Sequence, residues 1–130
     1  MPTCLVVDDS SMIRKIARRI LEGLNFQVIE AEDGVDALVH CKRSMPEAVL
    51  LDWNMPVMDG YHFLSHLRRM PGGEQRFGDM PIIALSSHSS PESIERGRQA
   101  GFHDYVAKFD RPGLIAALKE QTAEQHRAAA

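Results

Sequence analysis

Residues 3–21 read Thr-Cys-Leu-Val-Val-Asp-Asp-Ser-Ser-Met-Ile-Arg-Lys-Ile-Ala-Arg-Arg-Ile-Leu, and a change of apolar period inside this stretch decides the fold. Cys4 to Val7 form a continuous apolar run of strand length, the pattern of a strand covered on both faces of a parallel sheet. Beyond two acids, Ile13, Ile16, Ala17, Ile20, Leu21 and Leu24 recur at helical spacing behind the capping candidates Ser10 and Ser11. The opposite side of that helix carries Arg14, Lys15, Arg18 and Arg19 and reads as a solvated basic face, with docking to a partner protein as a secondary reading.

The same strand-then-helix unit recurs along the chain. Strands are expected near residues 3–8, 26–31, 48–52, 82–86 and 104–108, each followed by a helical pattern. The second helix should bury Val35, Leu38 and Cys41, and the third, after Asp59-Gly60, Phe63, Leu64 and Leu67. A fourth begins at Ser89-Ser90-Pro91-Glu92 and ends before Gly101, a left-handed cap candidate; Ile94 is its main large apolar residue. Little to bury marks it as a segment of low local stability. The fifth presents Leu114, Ile115 and Leu118. The expected fold is α/β, a doubly wound (βα)5 open sheet whose chemistry sits at the carboxyl ends of the strands. One domain is expected over residues 1–122, with 123–130 as a C-terminal tail.

Composition narrows the function classes. Of 130 residues, 44% are hydrophobic and 25% charged, the balance of a globular protein, and a net charge of -3 gives no basis for nucleic-acid binding. No apolar run reaches the length of a membrane span, and the first residues lack signal-peptide character, so a cytoplasmic location is expected. Cys4 and Cys41 lack metal-ligand or disulfide spacing and read as reduced core thiols. His40, His62, His66, His103 and His126 are scattered without ligand spacing.

The polar anchors fall at one sheet edge: Asp8 and Asp9 close the first expected strand, Asp52 the third, Ser86 the fourth and Lys108 the fifth. A single strand-end Asp is commonly only a cap for the next helix, so the coincidence carries the weight. Like charges at ~4 Å and an effective dielectric of ~20 repel by about 4 kcal/mol per pair, so such a cluster calls for a cation. All-oxygen donors with room for water suit Mg²⁺ and a phosphate. Lys108 and Ser86 offer a positive charge and a hydroxyl to phosphoryl oxygens on Asp52, and phosphoryl transfer asks for little beyond alignment and charge neutralisation.

Val6-Val7-Asp8-Asp9-Ser10, Leu50-Leu51-Asp52-Trp53-Asn54-Met55-Pro56-Val57-Met58-Asp59-Gly60, Ser86, and Tyr105 three residues before Lys108 resemble the receiver domain of bacterial two-component response regulators over residues 3–120. The resemblance implies a flavodoxin-like sheet of order 2-1-3-4-5 and a single-domain, chemotaxis-type response regulator acting as a switch rather than an enzyme. It further implies that Asp52 takes a phosphoryl group from a histidine kinase or histidine phosphotransfer protein. Asp9, Asp52 and the Asn54 backbone carbonyl would bind Mg²⁺ with Asp8 assisting, and Ser86 and Lys108 would contact the phosphoryl group. Ser86 and Tyr105 would move on phosphorylation, altering the face of the fourth helix, fifth strand and fifth helix for an unidentified downstream protein. His88 and Asn54 stand where receivers vary and tune hydrolysis of the acyl phosphate.

Two departures stand out. Phe109 follows Lys108 where the family usually has a proline in a cis bond, which puts the approach of Lys108 in doubt, and the loop of residues 70–80 is longer than usual. A flavodoxin-like nucleotide binder is disfavoured by two acids where a phosphate cradle would lie. An aspartyl-phosphate phosphatase would need a second acid near Asp52. A pseudo-receiver binding module, or a phosphate sink without its own output, is the remaining rival.

Overall fold

The computed structural model describes residues 2–53, 58, 60–70, 80–86, 91–107 and 110–129. Strands β1 (Thr3–Val7), β2 (Gln27–Ala31), β3 (Ala48–Asp52), β4 (Ile82–Ser86) and β5 (Asp104–Ala107) alternate with helices α1 (Ser11–Gly23), α2 (Gly34–Arg43), α3 (Gly60–Arg69), α4 (Pro91–Ala100) and α5 (Arg111–Ala129). All strand pairs are parallel, in the order β2-β1-β3-β4-β5. The expected (βα)5 architecture and strand order are therefore those of the molecule.

Two-sided burial explains the apolar runs. Leu5, Val7, Val49, Leu51, Ile82 and Ala84 face a core completed by Ala37 and Cys41 of α2 and Phe63, Leu64 and Leu67 of α3. Their immediate neighbours Cys4, Val6, Leu50, Ile83 and Leu85 face the opposite core, closed by Ile13, Ala17, Ile20 and Leu21 of α1 and Leu114 and Leu118 of α5. Every position of β3 is thus buried. Full burial of one such side chain contributes about 1.5–3 kcal/mol. Both thiols are buried and reduced, and burial pushes Cys4 up to about 12 and Cys41 to about 11.

The helix ends follow local chemistry. Ser10 caps α1, its hydroxyl accepting from the Ile13 N–H at 3.4 Å, and Asp33 caps α2 by accepting from the Asp36 N–H at 2.8 Å. After α4, Gly101 adopts φ 124°, a backbone that side chains disfavour, and its N–H returns to Gly97 O.

Two expectations are corrected. Val35 is 49% exposed, because α2 turns Ala37 and Cys41 inward and leaves Val35 and Val39, one turn apart, on its outer face. Residues 123–129 continue α5, in keeping with the strong helix formers Ala, Glu, Gln and Arg in that stretch. Of the expected solvated basic face, Lys15 and Arg19 are exposed, whereas Arg14 and the partly exposed Arg18 bond to Glu30 of β2. The loop at residues 71–79, His88, and the Lys108–Phe109 peptide lie outside the described residues.

Candidate metal and phosphoacceptor site

Strand register brings the acids together. Val7 pairs with Leu51 across β1 and β3, so the next residues, Asp8 just past β1 and Asp52 at the end of β3, lie side by side at the carboxyl edge of the sheet. Asp8 and Asp52 are buried, Asp9 is exposed at the rim, and one carboxylate oxygen from each lies within 4.8 Å of the others. Two buried acids and one wet acid make a pocket closed at the bottom and open to solvent.

The donor set fits a small hard cation. Oxygens bound at about 2.1 Å to one octahedral ion stand about 3–4.2 Å apart, so small side-chain adjustments would bring these three carboxylates onto one ion. Neutralising the mutual repulsion of three acids is the energetic reason for an ion there. Among the described residues, this is the one grouping of three potential ligands with such geometry.

Asp8 is held on three sides. Its N–H donates to Ala31 O at 3.1 Å, its Oδ1 accepts from the Ser10 N–H at 2.9 Å, and its carbonyl accepts from Arg14 Nη1 at 2.6 Å. Arg14 Nε in turn donates to Glu30 Oε1 at 3.1 Å, while Glu30 Oε2 accepts from Arg18 Nε at 2.7 Å. Partial burial pushes the Glu30 carboxyl up, but hydrogen bonds from Arg18 and Arg14 and their charges outweigh it and leave it below its ordinary value. The same pairing raises Arg18.

Asp52 is flanked by Trp53, whose N–H donates to Leu85 O at 2.8 Å. The Trp53 ring lies so close over Gly60 that a side chain there would collide with it, which explains glycine at the start of α3. On its other side, Trp53 meets Phe102 edge-on with centroids 5.2 Å apart, and Phe102 meets Tyr105 at 6.3 Å. Phe102 also packs against Gly97 of α4, leaving no room for a Cβ. A row of aromatics thus runs from the acidic pocket to β5 beneath α4. The Tyr105 hydroxyl at its far end is buried and has no hydrogen-bond partner among the described residues.

Of the residues expected at the site, Asp8, Asp9 and Asp52 converge. Ser86 ends β4, with its main chain opposite Ala107, and its side chain lies outside the described residues, as do Asn54 and Lys108. Sequence reasoning missed Glu30 and Phe102. The available signals were a lone acid in an otherwise apolar strand half, Val28-Ile29-Glu30-Ala31, and a glycine within α4 at Gly97.

A family model described as a response regulator receiver domain matches residues 4–119. The phosphate regulon transcriptional regulatory protein PhoB of Escherichia coli (strain K12) is 35% identical over 116 residues, covering 88% of this chain and 49% of that protein. The chain spans about half the length of the curated relatives it matches, among them PhoB at 49%. Chemotaxis protein CheY4 of Vibrio cholerae superposes with a TM-score of 0.82 at 30% identity, covering 92% of this chain and 98% of that one. The receiver domain of sensor histidine kinase PA1611 from Pseudomonas aeruginosa PAO1, with a magnesium ion coordinated in its active site cleft, gives 0.78 at 30% identity, covering 92% and 96%.

Proposed function

The chain belongs to the response regulator receiver domain family, and from that premise we propose that Asp52 accepts a phosphoryl group from a phosphohistidine of a histidine kinase or phosphotransfer protein. The observation that carries this reading is the convergence of Asp8, Asp9 and Asp52 within 4.8 Å at the carboxyl edge of the sheet. Receiver domains are signalling switches of two-component systems rather than enzymes acting on a separate substrate.

Asp9 and Asp52 would hold Mg²⁺ together with the Asn54 carbonyl, and Asp8 would assist. When bound, the ion supplies positive charge against which the phosphoryl oxygens and the attacking carboxylate can approach one another. An oxygen of Asp52 attacks phosphorus, the phosphorus–nitrogen bond of phosphohistidine breaks, and the departing imidazole nitrogen takes a proton from solvent. Asp52 is almost fully buried, so bulk water has little access to its carboxylate. Lys108 and Ser86 would hold the remaining phosphoryl oxygens.

The product adds charge and strong acceptors at the end of β3. Ser86 and Tyr105 would respond, and the face of α4, β5 and α5 would change for a downstream protein. Two features support that assignment: among its described residues α4 meets the core through Ile94 and the Gly97–Phe102 contact, with Ile94 as its one large apolar side chain, and the buried Tyr105 hydroxyl lacks a partner among the described residues. An unsatisfied buried hydroxyl costs about 1–3 kcal/mol, which favours any rearrangement that satisfies it.

Trp53, the sole tryptophan, sits beside Asp52 and reports on it. Adding Mg²⁺ and then beryllofluoride should change its emission in two steps, and Asp52→Asn should abolish the second. Emission indifferent to both additions would favour a pseudo-receiver that binds partners without phosphorylation.

A further inference from the structure

We propose that Arg14 is a positioning residue for the cation site, bracing the Asp8 main chain from behind and itself aimed by Glu30. The inference rests on the proposed cation site. Arg14 has only 17% of its side chain exposed, and it spans from α1 to the end of β1 with two donors in use. One holds the Asp8 carbonyl at 2.6 Å, one residue past the end of β1. The other is held by Glu30 at 3.1 Å.

Fixing that carbonyl fixes the plane of the Asp8–Asp9 peptide, and with it the direction from which Asp9 leaves the main chain. Asp8 and Asp9 belong to the cluster that lies within 4.8 Å, so tilting this peptide moves two of its three carboxylates. Glu30 is shared: its second oxygen takes Arg18 Nε at 2.7 Å, and Arg18 also pairs with Glu22 at 3.3 Å. Glu30 is therefore clamped from two turns of α1, which restricts the rotamer of Arg14. The planar fork of arginine serves both acceptors at once, a geometry that the point charge of lysine does not reproduce.

Electrostatics and positioning predict opposite signs, which makes the inference testable. A cation near three carboxylates opposes the entry of another cation, so removing the Arg14 charge would tighten Mg²⁺ binding if charge alone mattered. Loss of positioning weakens it. Calorimetric titration of Mg²⁺ into the full chain, with thermal midpoints measured in chelator, separates affinity from folding. Arg14→Ala is expected to weaken Mg²⁺ about tenfold or more, in line with the loss of outer-shell partners at other metal sites. Arg14→Lys should recover little of that loss. Arg18→Ala, one step further from the site, should change affinity about twofold or less, since Glu30 and Arg14 remain in contact.

In the cation-free protein, the amide resonances of Asp9 and Ser10 should shift in Arg14→Lys and not in Arg18→Ala. Should Arg14→Ala fail to fold, Arg14→Lys and Glu30→Gln carry the test, both with weakened affinity at a near-native midpoint. Unchanged or tightened Mg²⁺ binding in folded Arg14 variants, beside a wild type that binds, overturns the inference alone. A wild type without measurable Mg²⁺ affinity overturns the proposed cation site and the inference with it.

Discussion

The two flanks of the acidic pocket are built in contrasting ways. On the β1–α1–β2 flank, Asp8 is bonded through its N–H, its carbonyl and one carboxylate oxygen, and the arginines behind it are tied to Glu30. On the α4–β5 flank, contact passes through the rings of Trp53, Phe102 and Tyr105, with a hydroxyl at the end that finds no partner among the described residues. Directional hydrogen bonds fix the geometry on the first flank, whereas the second is held by close packing of rings without a hydrogen bond at its end among the described residues. Under the proposed function, one site could hold its ligands in fixed places and still report their arrival, with the bonded flank as anchor and the aromatic flank as the part proposed to move.

Substitutions on the aromatic flank should break this contrast most severely. Phe102 is buried between Trp53, Tyr105 and Gly97, so Phe102→Ala should cost about 3–5 kcal/mol in denaturant unfolding and uncouple Trp53 emission from changes at β5. Gly97→Ala adds a methyl where the Phe102 ring already lies, and overpacking should cost about 1–3 kcal/mol even though alanine favours the helix. A folded Gly97→Ala variant of unchanged stability would show that α4 is free to lift away from Phe102, sharpening the picture of a movable helix.

On the bonded flank the effects should be smaller and depend on pH. The folded-state pKa of Glu30 is lowered, so its contribution to stability is present above the ordinary glutamate range and is lost as pH falls through the lowered value. Glu30→Gln should therefore lower stability modestly at neutral and alkaline pH, change little in acid, and so flatten the acid limb of the stability curve; chemical unfolding across that range checks it. The smallest effects belong to the outer face of α2, where Val35→Ser or Val39→Ser should shift stability by no more than about 0.5 kcal/mol.

How far the sequence disclosed this arrangement depended on whether a feature was local or long-range. The strands were legible because residues such as Val6 and Leu50 must be apolar when both faces of the sheet are covered, and the period change after Asp9 marked the first helix. Asp8, Asp9 and Asp52 were legible as a cluster because parallel strands deliver their ends to one edge. Periodicity did not tell which way α2 faces, since Val35 and Ala37 both suit an apolar stripe and only the tertiary fit selected Ala37. Arg14 and Arg18 looked like a solvent face because their acceptor, Glu30, lies on a strand 16 and 12 residues away. Phe102 carried no motif at all: its importance comes from contacts with Trp53 and Gly97, which sequence spacing does not encode.

Asp52 is the residue proposed to carry the phosphoryl group. Intact-mass measurement after incubation with Mg²⁺ and a small phosphodonor, followed by borohydride reduction and peptide mapping, tests it most directly. The expected result is the mass gain of one phosphoryl group that requires Mg²⁺, maps to Asp52 and is absent from Asp52→Asn. No mass gain under conditions where Mg²⁺ binds, or a phosphoryl group mapped to another residue of the wild-type chain, would contradict it.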